Sequence, residues 1–453
     1  MDEIIPIIEL ESLSQKERKK IIARSHLDLD QILEEVIRPM ARDIEERGFA
    51  ALREISLRYD RFFPSPLVLT REDLRIAYSH YKQKFPHEIK AFLEALENIK
   101  AFHEAQKLTP VRVNVAQNSL GFTFIPFDHV ALYVPGGKAL YPSTVLMGVV
   151  PAKIAGVAEV SVFSPPSETG VVSEVVQAVA YLAGADRIVQ LGGAQAIIAA
   201  ALGIEEISLA AADFVYGPGN IYVAAAKVYA FSRLWCGIDS FAGPSEVIII
   251  ADSSANPHYV AHDLLAQAEH DEQASAILLT NDRQLAQACL EEIRKALAER
   301  GERSHITEKA IRNNGKIFLV KDLNEALDFV HEYAPEHLEI MAENDMEILS
   351  RVRAAGSIFL GPYSPVAAGD YYTGTNHILP TGGACRFASG VSTHTFYRRI
   401  SWQKVSEAGL RQAAPAIALM SRVEGLFAEH GYSVLARFDD LKKELWYGNP
   451  PSL

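Results

Sequence analysis

The stretch VSVFSPPSETGVVSEVVQAVAYLAGADRIVQLGG, residues 160–193, decides the fold class. It begins with the apolar run 160–163, which is rich in valine and stops at two prolines, so it predicts a short strand. Helix formers follow as far as Gly184, and a second strand is predicted at 187–190, before a pair of glycines. A strand, a helix and another strand in this order are typical of a parallel sheet.

The alternation resumes further along the chain. Apolar runs that predict strands occur at 247–250, 277–279, 317–320 and 357–360. Residues 15–105, and those after about 390, instead show helical periodicity. We therefore predict an α/β protein with two similar Rossmann-like parallel-sheet domains and small helical units at the N and C termini.

The composition excludes several classes of protein. The 453 residues carry a net charge of −13 and contain no dense stripe of Lys and Arg, which argues against nucleic-acid binding. No apolar run reaches the length of about 18 residues that predicts a membrane span. The three cysteines, Cys236, Cys289 and Cys385, lie far apart without a CxxC pair. This spacing argues against a disulfide framework and a thiolate zinc site, and it fits a reducing, cytoplasmic compartment.

Three glycine loops follow predicted strands, at 136–137, 192–193 and 217–219. None of them completes the GxGxxG fingerprint of dinucleotide-binding domains, since Tyr222 occupies the third glycine position of the best candidate. In such loops the backbone N–H groups can face a phosphate. The alternative is that these glycines only form tight turns, and spacing alone leaves both interpretations open.

Two pairs of residues could carry chemistry. Gln267 and His270 lie three positions apart, so on a helix both side chains can reach one point. His is a good zinc ligand and Gln an unusual one, and the alternative for this pair is an ordinary helix face. Glu336 and His337 are suited to proton transfer, because His titrates near neutral pH, and the alternative is an exposed loop. The HExxH pattern of zinc proteases does not apply here, because Pro335 would break the helix.

Asp370 lies in the polar loop GDYYTGTNH, residues 369–377, after a predicted strand. Open α/β sheets place ligands in such loops, and the Asp370 carboxylate could be a hard-oxygen metal ligand. The alternative is a surface turn. The segment from Glu424 to His430 brings a Glu and a His close together in the C-terminal unit, but by itself it indicates little.

Taken together, these segments resemble the histidinol dehydrogenase family, the enzymes of the last steps of histidine biosynthesis. The matching stretches occur in the family's order and at near-family spacing: LYVPGG (132–137), GGAQA (192–196), GPGNIYVAAAK (217–227), AGPSE (242–246), QAEH (267–270), APEHLEI (334–340), GDYYTGTNHILPTGG (369–383) and EGL (424–426). Several long motifs in order are far more specific than any one pair of residues. The resemblance therefore outweighs the alternatives given above for the single motifs.

The resemblance implies a role for each matching position. Zinc ligands are expected at Gln267, His270, Asp370 and His430, the last from the other subunit of a domain-swapped homodimer with shared active sites. The substrate-binding positions are these four together with Ser245, Glu336, His337, His377 and Glu424. The NAD contacts are expected at Tyr133, Gln195 and Asn220, and the catalytic acid/base pair at Glu336 and His337.

The implied reaction is a four-electron oxidation of L-histidinol, through L-histidinal, to L-histidine, in which two NAD are consumed. Zinc orients the substrate and is not the centre of hydride transfer. His337 takes the alcohol proton while hydride leaves to NAD, and Glu336 helps water add to the aldehyde that stays bound.

The implied domain division has four parts. They are an N-terminal helical segment at 1–24, a first α/β domain at 25–132 plus 246–389, an NAD-binding α/β domain at 133–245, and a domain-swapped helical tail at 390–453.

The C-terminal motif departs from the family in one respect. The family usually has two residues between EGL and the His, whereas here three residues precede His430. Either the helix bulges so that His430 still reaches the metal, or Glu429 takes the ligand's place, since zinc also accepts carboxylate. We favour His430, because the following SVLAR resumes the family's pattern in register with it.

Two other functions stay open from the sequence. A dehydrogenase of the same fold could oxidise another small alcohol, such as a sulfonated diol, although Ser245, His377 and Glu424 favour histidinol. A zinc-dependent hydrolase or a non-catalytic zinc-binding scaffold is the third hypothesis. Gln195 and Asn220 in the glycine loops argue against it, because a hydrolase needs no dinucleotide.

Overall fold

Two six-stranded sheets form the framework of the chain in a computed structural model, which describes residues 4–23, 29–136, 140–240, 243–299 and 304–447. The strands are β1 (Ile7–Glu9), β2 (Val68–Thr70), β3 (Val111–Val115), β4 (Asn118–Pro126), β5 (His129–Tyr133), β6 (Glu159–Phe163), β7 (Arg187–Val189), β8 (Phe214–Tyr216), β9 (Gly237–Ile238), β10 (Glu246–Ala251), β11 (Ser275–Thr280), β12 (Lys316–Leu319), β13 (His337–Met341), β14 (Ser357–Leu360) and β15 (Tyr397–Lys404). The helices are α1 (Gln15–Ala23), α2 (Asp30–Ile32), α3 (Arg38–Arg47), α4 (Phe49–Tyr59), α5 (Arg71–Lys84), α6 (Pro86–Glu104), α7 (Pro142–Ala155), α8 (Glu174–Ala183), α9 (Gly193–Leu202), α10 (Ile221–Arg233), α11 (Pro257–Ala268), α12 (Arg283–Glu299), α13 (Ser304–Asn314), α14 (Leu323–Tyr333), α15 (Asp345–Arg351), α16 (Val366–Tyr371), α17 (Glu407–Val423), α18 (Tyr432–Leu435) and α19 (Asp439–Tyr447). Single π-helical turns lie at Leu33–Ile37 and Phe427–Gly431.

The first sheet, which we call sheet A, has six parallel strands in the order β1-β12-β11-β10-β13-β14. Every residue of β10 is buried. Val247 and Ile249 join the apolar cluster on one face of the sheet, while Ile248 and Ile250 join the cluster on the other. A strand that is buried on both faces reads as a continuous apolar run, which is why the sequence located β10, β11 and β12 to within one or two residues.

The second sheet, sheet B, has the order β2-β7-β6-β5-β8-β9. Strand β2 is antiparallel to β7, and the other strands are parallel. The predicted strands at 160–163 and 187–190 correspond to β6 and β7, with α8 as the predicted helix between them. Because β5 to β9 run parallel, their carboxyl ends meet at one edge of the sheet, where the glycine loops lie.

The predicted fold class is confirmed, but the predicted domain division differs from the sheet topology. It assigns residues 25–132 to the first domain, whereas β2 and β5 belong to sheet B. The segment goes with sheet B because Ile44 of α3 and Leu52 of α4 are buried in one cluster with Ile197 of α9. The predicted boundary between 24 and 25 lies outside the described residues.

A smaller unit comprises Leu108–Ile125 and the described residues from Tyr397 onward. It contains a three-stranded sheet in the order β15-β4-β3, in which β3 and β4 are antiparallel. The segment after 390 is helical from α17 onward, as predicted, but it begins with the strand β15, whose backbone pairs with β4.

The three cysteines are buried and form no disulfide with one another. Among the described residues, no helix combines the length and the apolar composition that crossing a membrane requires.

Candidate active site

The predicted acid/base pair lies at the amino edge of sheet A. His337 begins β13, beside Val247 of β10, and Glu336 precedes it. The backbone N–H of Glu246 donates to Glu336 Oε2 (2.9 Å), and the carbonyl of Glu246 accepts from His337 Nδ1 (3.1 Å). Because a carbonyl only accepts, the proton of the neutral ring is on Nδ1, and Nε2 carries a lone pair. Nε2 has no hydrogen-bond partner among the residues that the structure describes.

Burial sets the protonation of this pair. It lowers the pKa of His337 to about 3, with a contribution from the nearby His270 and His377 rings, so the ring is neutral at pH 7. It also raises the pKa of Glu336 well above its ordinary value, although a hydrogen bond from the Ser245 hydroxyl acts in the opposite direction. Glu336 Oε2 lies 3.6 Å from His337 Nδ1. A neutral imidazole and a carboxyl group whose pKa is raised by burial therefore lie side by side.

Gln267 is a buried amide that the protein leaves unsatisfied. It lies in the last turn of α11 and is only 2% exposed. Within the described part of the chain, neither Oε1 nor Nε2 has a hydrogen-bond partner. A buried polar group without a partner costs about 1–3 kcal/mol, so this amide is suited to a ligand that the protein itself does not supply.

His270 and Asp370 lie near Gln267 and near the acid/base pair. Burial raises the pKa of Asp370 to about 6, while the charge of His270 acts to lower it. The Asp370 charge also acts on Glu336, so the two carboxyl groups lie near each other. An imidazole and a carboxylate are ordinary zinc ligands, and the Gln267 amide oxygen is a less usual third donor. These three residues together fit a zinc ion. The described residues contain no group of three or more His, Cys, Asp or Glu side chains arranged to hold a metal, and the third donor here is an amide.

His377 connects this pocket to the helix that follows β5. Its Nδ1 donates to the carbonyl of Asp370 (2.9 Å), and its Nε2 accepts from the Thr144 hydroxyl of α7 (3.0 Å). Burial lowers the pKa of His377 to about 4, so this ring is also neutral at pH 7. The predicted substrate-binding residues Ser245 and His377 are therefore both close to Glu336 and His337.

The predicted nucleotide contacts Tyr133 and Gln195 meet at the carboxyl edge of sheet B. The N–H of Gly193 donates to the Tyr133 hydroxyl oxygen (3.0 Å). Asp60 Oδ2 accepts from the backbone of Gly192 (3.2 Å) and from Gln195 Nε2 (3.0 Å). Burial raises the pKa of Tyr133 to about 12, and the nearby Asp60 adds to this shift. The loop is thus fixed by protein side chains at three points.

Asn220 follows β8, the next strand along the chain after β7, and it caps the N terminus of α10. Its Oδ1 accepts from the N–H groups of Tyr222 (3.0 Å) and Val223 (3.2 Å). The preceding Gly217 donates its N–H to Asp239 Oδ2 (2.9 Å). Asn220 itself is exposed, so its Nδ2 can reach a ligand above the edge of the sheet.

The backbone N–H groups of the glycine loops decide between the phosphate-facing and the tight-turn interpretation. The N–H groups of Gly192, Gly193 and Gly217 already donate to side chains of the protein, so these three groups do not face a phosphate. Of the two interpretations left open by spacing, these glycines fit the tight-turn one. Gly137, in the first of the loops, lies outside the described residues.

The remaining predicted residues, Glu424 and His430, belong to the small unit. Both are exposed, Glu424 directly after α17 and His430 within the π-helical turn Phe427–Gly431. A π turn accommodates one additional residue in a helical segment, which matches the extra residue found here before His430. The π turn is the bulge that the first alternative expects, but it contains both Glu429 and His430, so the choice of ligand stays a prediction.

Sequence reasoning missed several residues of these two edges: Asp60, Thr144, Lys227 and Asp239. Asp60 has no local signal, because it reaches a loop 132 residues further along the chain. Asp239 could have been noticed, since it lies close to the AGPSE motif. Lys227 ends the motif GPGNIYVAAAK but was given no role, and Thr144 had no signal until the fold placed it beside His377.

The sequence model of the family described as histidinol dehydrogenase matches residues 22–438 of this chain. This chain belongs to the histidinol dehydrogenase family. A histidinol dehydrogenase of Leptospira interrogans is 45% identical over 418 residues, which cover 92% of this chain and 96% of that protein. One from Methanothermobacter thermautotrophicus is 40% identical over 440 residues, covering 96% and 100%. The crystal structure of histidinol dehydrogenase from Elizabethkingia anophelis superposes with a TM-score of 0.89 at 34% identity, covering 98% of this chain and 100% of that one.

The resemblance drawn from the motifs is therefore confirmed. Members of the histidinol dehydrogenase family are NAD-dependent oxidoreductases of histidine biosynthesis, and the family uses NAD and zinc. The substrate is a small molecule.

Proposed function

We propose that this chain oxidises L-histidinol through L-histidinal to L-histidine at one site, with His337 and Glu336 as the acid/base pair. The observation that carries this proposal is the orientation of His337. Its Nδ1 donates to the Glu246 carbonyl, so the unprotonated Nε2 can accept a proton from a substrate alcohol. Transition-state proton transfer of this kind contributes about 100- to 10,000-fold to a rate.

The two oxidations need different help from the protein. In the first, His337 Nε2 accepts the alcohol proton as the carbon–hydrogen bond breaks, and the hydride goes to NAD, leaving the aldehyde. Before the second, water must add to the aldehyde to give a hydrate. The Glu336 carboxyl, whose pKa burial raises, can exchange protons with that water, and the hydrate then gives a second hydride to a second NAD. The product is the carboxylate of L-histidine.

Gln267, His270 and Asp370 would hold the zinc ion. Bound zinc supplies a fixed point for the imidazole and amine nitrogens of the substrate, which are good zinc ligands. We propose that the fourth protein ligand is His430 of the partner subunit, which makes the active site a shared one. The alternative, Glu429, lies next to it in the same π turn.

The small unit supports a homodimer with swapped tails. Around the exposed EGL motif, large apolar side chains are also exposed: Met420 at 64%, Val423 at 76% and Leu426 at 48%. Clustered exposed apolar groups of this kind indicate a surface that another chain covers. We propose that Glu424 and His430 reach the substrate and the metal of the partner in this way.

Tyr133, Gln195 and Asn220 would contact NAD, and Ser245 and His377 the substrate. Buried Gln195 follows β7 and exposed Asn220 follows β8, while Tyr133 ends β5, which lies between those strands. All three are at the carboxyl edge of sheet B, where doubly wound sheets bind nucleotides. Ser245 and His377 lie against the acid/base pair, where they can orient the substrate alcohol.

Initial rates with two alcohols test the substrate. Purified enzyme, zinc and NAD are mixed with L-histidinol or with sulfopropanediol, and NADH is followed by its absorbance. We expect NADH only from L-histidinol. NADH from sulfopropanediol, with none from L-histidinol, would replace the proposed substrate while leaving the dehydrogenase assignment intact.

A further inference from the structure

Lys227 of α10 is a buried cation beside the carboxyl edge of sheet B. Its Nζ donates to Asp239 Oδ1 and to the Gly217 carbonyl, both at 2.6 Å. The side chains of Lys227 and Asp239 are only 1% and 6% exposed. The ion pair is therefore shielded from water, and both of its partners are fixed.

Asp239 completes a closed arrangement around Gly217. Its second oxygen, Oδ2, accepts from the Gly217 N–H at 2.9 Å. Both backbone polar groups of this glycine are thus held by one ion pair, the carbonyl by Lys227 and the N–H by Asp239. We call these three residues the clamp.

The backbone conformation and the surroundings of Gly217 both require a glycine at this position. Its φ of +115° lies in the region that favours glycine, and a Cβ atom there would be 2.2 Å from the Tyr133 carbonyl oxygen. The loop thus lies directly against the end of β5. It leads within three residues to Asn220, which caps α10 and stands two helical turns before Lys227 on the same face.

Asp239 of the clamp also lies six residues before Ser245, a predicted substrate-binding residue. Asp239 follows β9, and the chain continues to Gly243, whose N–H donates to the Thr381 hydroxyl, and then to Ser245. The ion pair therefore holds the start of the nucleotide loop directly, whereas Gly243 and Ser245 have contacts of their own, with Thr381 and Glu336.

Stability alone does not require such a pair. Replacing a buried ion pair by well-packed apolar side chains is often neutral or stabilising, whereas removing one partner leaves an uncompensated buried charge. Among the described residues, the hydrogen bonds within the clamp join α10, the loop that ends in Asn220 and the segment after β9, and they involve no metal-site residue.

We propose that Lys227 and Asp239 are positioning residues for the dinucleotide, holding the loop 217–220 so that Asn220 meets the cofactor. The proposal rests on the proposed NAD contact at Asn220. A purely structural pair would support the fold without affecting the affinity for NAD more than that for the alcohol.

The test compares K227M, K227R and D239N with a matched control. The control is K153M, because Lys153 likewise bonds an Asp, Asp186 Oδ2 at 2.6 Å, and two backbone carbonyls. Asp186 Oδ2 in turn accepts a backbone N–H, that of Val160. That cluster lies at the opposite, amino end of the same sheet, since Asp186 precedes β7. For each variant, kcat, the KM for NAD, the KM for L-histidinol and the Tm are measured, and NADH binding is titrated by its fluorescence.

We expect K227M to raise the KM for NAD and the Kd for NADH by about tenfold or more, a change that corresponds to lost ground-state binding, with the KM for L-histidinol within about twofold. K227R should restore part of the affinity, and D239N, which keeps an amide oxygen for one of the two contacts, should fall between. K153M should lower the Tm without changing either KM. A lower Tm for K227M with an unchanged Kd for NADH would overturn the proposal.

Two outcomes are kept apart by this design. If K227M does not fold, the Kd for NADH is compared between D239N, K227R and the wild type. The proposal fails if both variants bind NADH like the wild type. If the wild type forms no NADH from L-histidinol, the proposed function fails, while NADH titration of wild type and variants still tests the clamp.

Discussion

The amino edge of sheet A and the carboxyl edge of sheet B differ in whether their buried polar groups are hydrogen-bonded within the protein. At the edge of sheet A, His337 Nε2 and both side-chain polar atoms of Gln267 are buried without hydrogen-bond partners in the described part of the chain. At the edge of sheet B, the N–H groups of Gly192, Gly193 and Gly217 are each bonded to a side chain. At the first edge, a bound ligand would supply the missing hydrogen bonds or metal contacts. At the second edge, the protein's own side chains already supply them.

This difference has a physical consequence for substitutions. Buried polar atoms without partners destabilise the ligand-free protein. Removing them should therefore reduce ligand binding and catalysis more than it reduces the free energy of unfolding. Where the loop is already bonded, removing one contact affects folding and the position of the nucleotide together. Four substitutions test this contrast, from the largest expected effect to the smallest.

H337N should abolish most of the activity while leaving the fold intact. The asparagine amide can still donate to the Glu246 carbonyl, but no nitrogen lone pair replaces Nε2. We expect kcat to fall about 100- to 10,000-fold. Steady-state rates check this, with the Tm as the control for folding. Near-normal kcat in H337N would remove His337 from the mechanism.

G217A should destabilise the protein and disturb the nucleotide loop. The added Cβ would meet the Tyr133 carbonyl oxygen at 2.2 Å, in addition to the strain of a positive φ. We expect a loss of more than about 3 kcal/mol in the free energy of unfolding. Urea unfolding measures it, with G184A as the matched control.

Gly184 also has a positive φ, +96°, but the nearest atom to a Cβ there is the Lys153 Cγ at 3.6 Å. G184A should therefore show only the cost of its backbone conformation, about 1 kcal/mol. Equal losses in G217A and G184A would mean that the contact with β5 does not constrain the loop.

Q267L should stabilise the metal-free protein slightly and weaken zinc binding. It removes a buried amide that has no partner in the described residues, so with EDTA present we expect a gain of about 1 kcal/mol. Zinc should then stabilise the variant less than the wild type in a thermal titration.

Q190L is the matched control for Q267L. Gln190 is equally buried, but its Oε1 accepts from the Val172 N–H (2.8 Å) and its Nε2 donates to the Pro66 carbonyl (2.8 Å). This change should cost about 1–3 kcal/mol with or without zinc. A metal-free Q267L that is as destabilised as Q190L would contradict the assignment of Gln267 as a ligand.

D263N should change the pH dependence of stability by a small amount. Burial raises the pKa of Asp263 to about 6, and its carboxyl group lies within hydrogen-bonding reach of the buried Glu339. A raised carboxyl pKa gives stability that is present below the ordinary value near 4 and is lost as the pH rises through 6. The wild type should thus lose stability relative to D263N between pH 4 and pH 6, by about 1 kcal/mol after allowance for the partial exposure of Asp263.

Urea unfolding at pH 4, 5 and 6 measures this change. D328N, on the exposed face of α14, serves as the surface control and should follow the wild type. Parallel pH curves for the wild type and D263N would show that Asp263 ionises in the folded protein as it does in the unfolded chain.

The central strands could be predicted from the sequence because burial on both faces leaves a continuous apolar run, as in β6 and β10. The short edge strands β1 and β2 could not, since three residues of chain carry too little pattern and their pairing depends on distant strands. The strand order also shows that β2 and β5 belong to sheet B, and β3 and β4 to the three-stranded sheet, which no local pattern indicated.

The candidate site was predictable where a motif carried several residues together. Gln267 and His270 are one such motif, and Glu336 and His337 another. Asp60 and Asp239 were not predicted, because each is a single carboxylate whose partner is a backbone N–H of a remote loop. The occupied N–H groups of the glycine loops follow from these two carboxylates, so the sequence could not decide between phosphate contact and tight turn. The NAD contacts, the ligand set, the dimer and the cytoplasmic location stay predictions.

The yield of NADH from a limiting amount of L-histidinol tests the central claim most directly. With excess NAD and zinc, a single site that carries out both oxidations with His337 and Glu336 should give two NADH per L-histidinol and release L-histidine. One NADH per L-histidinol, with L-histidinal accumulating in solution, would contradict the account.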